Sequence, residues 1–236
     1  MDMDRLVVDD FTIGYLGHAG EVTCSETDNC RYLIASAAVS DLEAKEALSR
    51  SGYVFHDRVL QLDIDIPASM QLRRKRCRKP AGIKTRKAET FTEEMYRMAC
   101  SVFKTDRRFH LDRGYNQKLA DRVIKAWMDR WEERKLQVMQ AFYKEEMTGF
   151  VIIDTAHSRS ENVLGVTAPG ISGMASAYPL YSDLLDLLGQ GGCRKYYGMV
   201  STENVASINL HIQLGAEVCS IMDRYILRKR GDSNGL

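Results

Sequence analysis

The part of the sequence that most constrains the fold is a strand, a polar turn, a helix and a second strand, in that order, over residues 196–227. The run Tyr196 to Ser201 is rich in β-branched, aromatic and Met residues, which predicts a buried strand. Asn204 then opens a helix that Gly215 ends, and Glu217 to Leu227 returns as extended chain. The apolar residues expected on the buried face of this helix are Val205, Ile208 and Ile212.

Composition limits the class of protein. A chain of 236 residues that is 44% hydrophobic and 28% charged can form one large domain or two small ones, and it is not disordered. The net charge of +1 argues against nucleic-acid binding. Apolar runs are shorter than the roughly 20 residues of a membrane span, and the acidic start lacks the basic segment of a signal peptide, so we expect a cytoplasmic protein without a membrane partner. The six cysteines and five histidines lack metal-ligand spacing, so no metal is expected.

The hydrophobic pattern divides the chain into two domains. We expect a small N-terminal α/β domain at residues 1–72, a basic linker at 73–82 and a main domain at 83–236. In the first domain, Ser40 with Glu43 predicts a helix start by a capping box, and Pro67 is expected to end a strand. The strands expected there are Leu6 to Val8, Arg31 to Ile34 and Val59 to Ile66. The alternative function for the linker is that its cations hold the phosphates of a nucleotide or nucleic acid.

The main domain begins with a strand at Ile83 to Ala88 and a helix that Thr90 and Glu93 would cap. An irregular loop follows at Asp106 to Tyr115, where Arg, His, Asp and aromatic residues would face a polar ligand. The next helix carries apolar residues at i+4 spacing, and we interpret its tryptophans as core. These residues are Leu119, Val123, Trp127 and Trp131.

The remaining elements complete a mixed sheet with helices on its faces. Gln137 to Phe142 and Gly149 to Asp154 predict an antiparallel hairpin, and Val163 to Thr167 predicts the next strand. A helix follows and ends at the glycines beginning with Gly189. The leucines expected on its buried face are Leu180, Leu184, Leu187 and Leu188.

From residue 163 onward, the order of elements resembles the second half of the fold of the GNAT-type acyl-CoA N-acyltransferases. In that family the pattern Asn-x-x-A/S-I/L-x-L-Tyr-x-x-x-Gly follows a strand. This chain carries the pattern from Asn204 to Gly215, with Ser207 in its small-residue position and His211 in place of the tyrosine. The resemblance implies an α/β fold with a mixed, mostly antiparallel twisted sheet flanked by helices, and it implies acetyl-CoA as co-substrate.

Most of the chain, from about residue 41, further resembles the two-domain TDP-fucosamine acetyltransferase group. The segments that carry this resemblance are residues 41–67, 106–115 and 211–227. Members of that group acetylate the 4-amino group of a nucleotide-linked 4-amino-4,6-dideoxy sugar. The resemblance therefore implies transfer by direct attack of the amine in a ternary complex.

The family turn Q/R-x-x-G-x-G/A, which binds the CoA phosphates, is altered in this chain. Counting back from the helix puts its glycine positions on Ala175 and Ala177 and its Q/R position on Ser172. A second register, starting at Gly170, puts Gly173 and Ala175 in the turn. A helix N-terminus can present N–H groups to a pyrophosphate with alanine in place of glycine, so we expect weaker or rearranged contacts.

The resemblance also implies CoA contacts on the preceding strand and at the start of the last helix. The strand Leu164, Gly165 and Val166 would receive the pantetheine arm and present an N–H to the thioester carbonyl, and Gly165 suits a close approach. Asn204 belongs to the same cofactor-binding set. His211 would protonate the departing thiolate, because neutral imidazole carries one N–H; alternatively it is a satisfied polar residue beside the cofactor.

For the acceptor, the candidates lie in the irregular loop. Arg108 suits a phosphate, Phe109 and Tyr115 suit stacking, and Asp112 suits a hydroxyl or the amine. Arg108 and Asp112 are alternatively a structural ion pair. His110 is a second catalytic candidate, as the base that deprotonates the amine; Asp112, Glu161 and an ordered water are the other options.

The sequence therefore predicts an enzyme, an acetyl-CoA-dependent N-acetyltransferase of a small amine, expected to be a nucleotide-linked amino-dideoxy sugar. One alternative is another acyl-CoA or another amine, such as an amino acid, a peptide N-terminus or an aminoglycoside. Another is a degenerate module that binds CoA or a partner without turnover. Nucleic-acid binding through the basic segment is disfavoured, because no aromatic residues interleave with its cations. The oligomeric state stays open, with a homodimer as one option.

Overall fold

A computed structural model describes residues 4–8, 11–16, 30–76, 82–103, 117–156 and 158–229. The acceptor loop predicted at residues 106–115 lies outside these ranges. Its candidate residues, Arg108, Phe109, His110, Asp112 and Tyr115, are therefore outside the described structure. In chain order the elements are β1 (Asp4–Val8), β2 (Phe11–Leu16), β3 (Tyr32–Ala38), α1 (Leu42–Arg50), β4 (Val54–Asp65), α2 (Ile66–Arg76), β5 (Ile83–Ala88), α3 (Glu93–Val102), α4 (Gln117–Glu133), β6 (Gln137–Tyr143), β7 (Glu146–Ala156), β8 (Arg159–Thr167), α5 (Ile171–Gln190), β9 (Lys195–Ser201), α6 (Val205–Gln213) and β10 (Glu217–Arg228).

The predicted α/β class is confirmed. Strands β2 and β3 pair in parallel, as do β8 and β9. The pairs β1 with β2, β3 with β10, β5 with β6, β6 with β7 and β7 with β8 are antiparallel. Strand pairing is thus mixed and mostly antiparallel, as expected. Within the described segments, no helix combines the length and the apolar character needed to cross a membrane.

Contacts group the chain into two compact units, each assembled from separate segments. The first unit contains residues 1–59, 105–127 and 220–236, and the second contains 60–104 and 128–219. The chain passes between them inside β4, α4 and β10. The linear division predicted from the sequence stays a prediction. The described part of its linker, residues 73–76, is the last turn of α2.

In the first unit, strands β1, β2, β3 and β10 lie side by side in that order. A small core joins this sheet to α1 and contains Ala35, Ala37, Leu48 and Tyr225. Two carboxylates are buried beside it. Asp223 accepts from Arg58 Nε at 2.6 Å and pairs with Lys45 Nζ at 3.0 Å, and Asp57 accepts from Arg224 Nε at 2.6 Å. These hydrogen-bonded ion pairs compensate the cost of removing both carboxylates from water.

In the second unit, the strand order is β4, β9, β8, β7, β6, β5. Helix α5 packs on one face of this sheet, and the core between them includes Leu62, Ile64, Ile66, Val151, Ile153, Leu180, Leu184, Leu185 and Leu188. The predicted leucine face is right except at Leu187, which is exposed. Arg73, from the basic segment, is buried here. It donates to Ser182 O at 2.7 Å and to Asp186 Oδ1 at 2.9 Å, so it ties α2 to α5.

Two predicted helix starts are displaced, and two elements were not predicted. Asp41 Oδ1 caps α1 by accepting from Ala44 N at 3.0 Å, and Thr92 caps α3. The capping boxes expected at Ser40 and Thr90 are therefore wrong by one and two residues. Pro67 follows the end of β4 as expected, but it lies in the first turn of α2, where proline is well tolerated. Helix α2 and strand β2 were both missed.

The buried face of α6 also differs from the prediction. Val205 and Ile212 are 61% and 47% exposed, and only Ile208 of the predicted stripe packs against the core. The fully buried residue of this helix is His211, at 0% exposure. The prediction took the side of α6 with the most apolar residues as the buried side. In the structure the buried side is the one that carries His211.

Candidate active site

Strands β8 and β9 separate part of the way along their length. Their parallel register runs from Arg159 opposite Lys195 to Asn162 opposite Gly198. Beyond this pair, β8 continues over residues 163–167 and β9 over residues 199–201, and these two segments are not paired with each other. We call this opening the fork. Backbone groups of β8 that point toward β9 lose their strand partner there, so they can bind an extended ligand.

A β-bulge lies at the start of the fork. On the other side of β8, Ile153 lies opposite Asn162 and Ile152 lies opposite Leu164, so Val163 has no opposite residue on β7. A bulge bends its strand and increases the local twist, and bulges are common beside functional sites. The bulge therefore accounts for the departure of β8 from β9 at this point.

Four polar side chains meet at the fork, and we call them the fork cluster: Asn162, Tyr181, Tyr196 and His211. Asn162 Nδ2 donates to Tyr181 Oη at 3.2 Å. The rings of Tyr181 and His211 lie edge to face with centroids 5.1 Å apart, and those of Tyr196 and His211 are stacked at 6.3 Å. The cluster thus draws on β8, α5, β9 and α6.

His211 is held in one orientation by its own helix. Its Nδ1 lies 2.8 Å from Ser207 O. Because a carbonyl oxygen can only accept, Nδ1 carries the ring proton and Nε2 has a bare lone pair. Burial lowers the pKa of His211 below its ordinary value, and the bond to the Ser207 carbonyl opposes this in part. The ring is therefore neutral at physiological pH.

The cluster contains buried polar atoms that lack a hydrogen bond. Among the described residues, Asn162 Oδ1, Tyr196 Oη and His211 Nε2 are buried without a partner. Each such atom costs about 1–3 kcal/mol, so three at one place indicate a position for a ligand or water group. Burial, with a smaller contribution from Tyr181, raises the pKa of Tyr196 well above its ordinary value, so this hydroxyl stays protonated.

Gly165 lies inside the fork, where the sequence predicted a close approach. A β-carbon at this position would lie 1.8 Å from Tyr181 Oη. The close neighbour in this structure is therefore a side chain of α5. Leu164 and Val166 are buried, each 2% exposed. That all three contact a pantetheine arm stays a prediction.

The N-terminus of α5 follows β8 after residues 168–170. Gly170 is its N-cap residue, with a φ of 92°, and no side chain caps the helix. The first helical hydrogen bond runs from Met174 N to Gly170 O at 3.1 Å, so the N–H groups of Ile171, Ser172 and Gly173 precede it. Such unpaired N–H groups, with the helix dipole, favour an anion.

The structure places the predicted phosphate residues in two successive turns of α5. Ser172 and Gly173 lie in the first turn, and Ala175 and Ala177 lie in the second, where N–H groups bond within the helix. Of the two alignments of the family turn, the one that starts at Gly170 and includes Gly173 therefore coincides with the start of α5. A β-carbon on Gly173 would lie 1.8 Å from Ala168 O, so this turn packs tightly against the chain leaving β8.

Asn204 is the N-cap of α6, and its Oδ1 accepts from Ser207 N at 3.0 Å. It therefore positions the residue whose carbonyl holds His211. Glu161, a candidate base, is exposed on β8 and is paired opposite Tyr197 of β9. In the ranges that the structure covers, no group of three or more His, Cys, Asp or Glu residues is arranged to hold a metal ion.

Three residues of the fork cluster were not predicted from the sequence: Asn162, Tyr181 and Tyr196. Tyr181 and Tyr196 lie in elements that were assigned by their apolar pattern, where tyrosine reads as core. Gly165 gave the only signal, because a strand glycine marks a close approach. It did not reveal which group approaches.

No family model matches the sequence, and no curated protein matches it. Solved structures do resemble the fold. A tandem GNAT protein from the clavulanic acid biosynthesis pathway, solved without AcCoA, aligns with a TM-score of 0.58 at 11% identity over 88% of this chain and 67% of its own. A functionally unknown conserved protein from Staphylococcus epidermidis aligns with a TM-score of 0.60 at 11% identity over 97% of this chain and 95% of its own.

A third structure is a GCN5-related N-acetyltransferase from Sphaerobacter thermophilus. It aligns with a TM-score of 0.53 at 12% identity. The alignment covers 83% of this chain and 59% of that protein. Identities this low show the fold alone. The finer resemblance to the TDP-fucosamine acetyltransferase group stays a prediction. The chain therefore shares the fold of GNAT proteins, as the elements from β8 to β10 had led us to expect.

Proposed function

We propose that this protein is an acyl-CoA-dependent N-acyltransferase that uses acetyl-CoA. The observation that carries the proposal is the fork at the Val163 bulge, followed on the same strand by the uncapped N-terminus of α5. One strand thus leads from an opening in the sheet to a site suited to an anion. The shared GNAT fold supports the same assignment.

The residues present fit acetyl-CoA. Its pantetheine arm carries amides, which match the unpaired backbone edge of β8 beyond Asn162. Its pyrophosphate matches the N–H groups of Ile171, Ser172 and Gly173 and the positive end of the α5 dipole. When bound, acetyl-CoA supplies a thioester whose acyl group is activated toward an amine.

The chain's own groups then serve three purposes. Three of the four residues of the fork cluster, Tyr181, Tyr196 and His211, are buried, and hydrogen bonds are stronger away from bulk water. In this proposal a backbone N–H of β8 beyond the bulge would stabilise negative charge on a carbonyl oxygen. Asn204 and Ser207 fix the His211 ring. Together these groups suit direct transfer to an amine without a covalent enzyme intermediate.

For the acceptor, we propose a nucleotide-linked amino-dideoxy sugar. The support is the sequence resemblance alone, since the loop residues expected to bind this acceptor lie outside the described structure. Other amines and other acyl-CoAs stay alternatives, and the cytoplasmic location and the homodimer stay predictions.

The first experiment is isothermal titration of the full chain with acetyl-CoA, with free CoA and ATP as controls. Binding in the micromolar range for both CoA compounds, and not for ATP, would support the proposal. Thiol release from acetyl-CoA would then be measured with dTDP-4-amino-4,6-dideoxygalactose and with panels of amino acids, peptides and aminoglycosides. Absence of acetyl-CoA binding up to millimolar concentration would reject the proposal.

One observation favours a second function, a module that binds CoA or a partner without turnover. Tyr181 Oη lies against the backbone at Gly165, where the arm of CoA is expected. A Tyr181→Ala variant distinguishes the two functions. If it binds acetyl-CoA much more tightly than the natural chain, and neither form releases thiol with any amine, the non-catalytic module is the better assignment.

A further inference from the structure

We propose that His211 is the general base of the fork, and that its Nε2 accepts the proton of the attacking amine. This inference rests on the proposed N-acyltransferase function and concerns the same site. The pattern that the sequence resembles has a tyrosine here, whose hydroxyl donates a proton. In the structure, position 211 presents a hydrogen-bond acceptor in place of that donor. Three observations support this.

The first contact fixes which nitrogen carries hydrogen. His211 Nδ1 donates to Ser207 O at 2.8 Å, within the same helix. Ser207 N in turn donates to the cap residue, Asn204 Oδ1, at 3.0 Å. The backbone of the first turn of α6 therefore holds the ring and its tautomer. The second nitrogen, Nε2, is an acceptor by elimination.

The second contact gives Nε2 its position. A β-carbon on Gly198 would lie 3.9 Å from His211 Nε2, so this atom faces β9 at the last paired residue before the fork. Nε2 is buried, and within the described structure it has no hydrogen-bond partner. The bare lone pair of this imidazole nitrogen can accept a proton, and burial, which lowers the pKa of the ring, keeps the ring neutral until it does so.

The third observation restricts the group received to one that donates hydrogen bonds. Asn162 Oδ1, on the paired strand, is a second buried acceptor without a partner among the described residues. A group that bonds to both acceptors must donate two hydrogens, and Tyr196 Oη, the third buried atom without a partner among the described residues, can donate or accept one more. A primary amine donates two hydrogens, as a water does, whereas a thiolate or a carbonyl oxygen donates none.

The proton balance of acyl transfer agrees with this role. Forming the amide breaks one N–H bond and one C–S bond and forms one N–C bond and one S–H bond. His211 Nε2 takes the proton when the N–H bond of the amine breaks and gives it up when the S–H bond forms. The ring then returns to the neutral form. The titratable groups in contact with the ring are Tyr181 from α5 and Tyr196 from β9, and burial raises the pKa of Tyr196 well above its ordinary value, so that hydroxyl is neutral.

The direct test is nitrogen NMR of the full chain labelled with ¹⁵N-histidine, free and with acetyl-CoA. A His211→Tyr variant assigns the signals of this ring. We expect the pattern of a neutral ring with hydrogen on Nδ1 and a bare Nε2 from pH 6.5 to pH 8. Hydrogen on Nε2, or a charged ring in this range, would overturn the proposal. This readout needs no turnover, so it is independent of the proposed function.

The kinetic test uses His211→Tyr and His211→Gln, with methylamine as a probe acceptor and thiol release as the signal. Loss of a general base should lower turnover by about 10²–10⁴-fold in both variants. The defect should shrink as the pH rises and the amine deprotonates in solution, which a merely structural role would not produce. Titration should give acetyl-CoA affinities near that of the natural chain. A His211→Tyr enzyme as active as the natural one would show that position 211 donates, and the proposal would fail.

Discussion

Gly165 and Gly198 occupy the two strands of the fork, but a side chain at each would meet different surroundings. At Gly165 a β-carbon would lie 1.8 Å from Tyr181 Oη and 3.1 Å from its Cζ. At Gly198 the nearest atoms would be 3.7 Å and 3.9 Å away, which is ordinary contact. The difference comes from one side chain, that of Tyr181, and mainly from its hydroxyl.

We therefore expect Gly165→Ala to destabilise the protein by about 1–3 kcal/mol, as overpacking of a tight core does. Gly198→Ala is the matched control and should change the free energy of unfolding by less than about 1 kcal/mol. Adding Tyr181→Phe to Gly165→Ala removes the clashing oxygen and should restore part of the loss. Urea unfolding measures all of these variants. Equal effects of the two alanines would contradict the packing described at the fork.

His211 gives the protein a dependence of stability on pH with a defined sign. Its pKa in the folded state is lowered by burial, so the unfolded chain binds more protons when the pH lies between the two pKa values. The stabilisation from the neutral ring is complete above the ordinary pKa of about 6.5 and is lost as the pH falls toward the folded pKa.

We accordingly expect the natural chain to lose more stability than His211→Gln when the pH is lowered from 7.5 to 5. The other histidines are common to both chains, so their effects cancel in the difference. Denaturant unfolding at several pH values measures it. A difference that stays constant with pH would show that the ring is not held neutral by burial.

The sequence pointed to residue 211 as part of the site, but it did not show whether this side chain donates or accepts a proton. Asn204, Ser207 and Gly215 mark the helix and its bounds by local chemistry, so they were predictable. Which nitrogen of His211 carries hydrogen depends on a carbonyl one turn away and on burial against Tyr181 and Tyr196. The Ser207 carbonyl lies only four residues away, but the contacts with Tyr181 and Tyr196 join residues distant in the chain, and no spacing rule contains them.

At the scale of elements, the first turn of α5, which is the proposed pyrophosphate site, packs against the chain that leaves β8. Only glycine fits at position 173, because a β-carbon there would lie 1.8 Å from Ala168 O and 2.7 Å from Ala168 C. Both are backbone atoms, which cannot rotate away as a side chain can. A larger residue must therefore move the first turn of the helix.

Gly173→Ala should weaken acetyl-CoA binding at least about tenfold, equivalent to about 1.4 kcal/mol, because the N–H groups of the first turn are displaced. Gly191→Ala, after the other end of α5, is the control: its β-carbon would meet atoms at 3.4 Å and 3.6 Å, and its affinity should not change. Titration calorimetry with acetyl-CoA compares the two variants. Unchanged affinity in Gly173→Ala would remove this turn from the binding site.

Elements with strong local signals were predicted well, and those set by distant contacts were not. Strand β5 was predicted at its observed bounds, and the hairpin of β6 and β7 was predicted with its short connection, where Lys144 and Glu145 have positive φ. Helix α2 was missed because its last turn is a run of four cations, residues 73–76, which was assigned to a linker from the sequence. One of them, Arg73, is buried through bonds to residues of α5 more than a hundred positions later.

At the scale of the whole molecule, the interleaving of the two units bears on the predicted main domain. Residues 83–236 omit the part of β4 that belongs to the second unit. Leu62, Ile64 and Ile66 of that segment and the start of α2 are 0–1% exposed in the core against α5. Burial of each such side chain contributes about 1.5–3 kcal/mol, a large fraction of the 5–15 kcal/mol typical of a domain.

A fragment of residues 83–236 should therefore fail to fold on its own, whereas the full chain folds cooperatively. Circular dichroism and the dispersion of amide NMR signals would show this. A second fragment, 54–236, restores β4 and should recover much of the secondary structure. A well-folded 83–236 fragment would support the linear domain division and contradict the importance of β4 to this core.

The pairing of β3 with β10 has a consequence for synthesis in the cell. Met222 lies opposite Ala38 and Arg228 lies opposite Tyr32, so β3 pairs with a strand that is synthesised much later. Until the ribosome has made β10 and released it from the exit tunnel, one edge of β3 is without its partner, and exposed strand edges promote misassociation. We expect the nascent chain to depend on chaperones during translation more than a protein of the same length with sequential strand order.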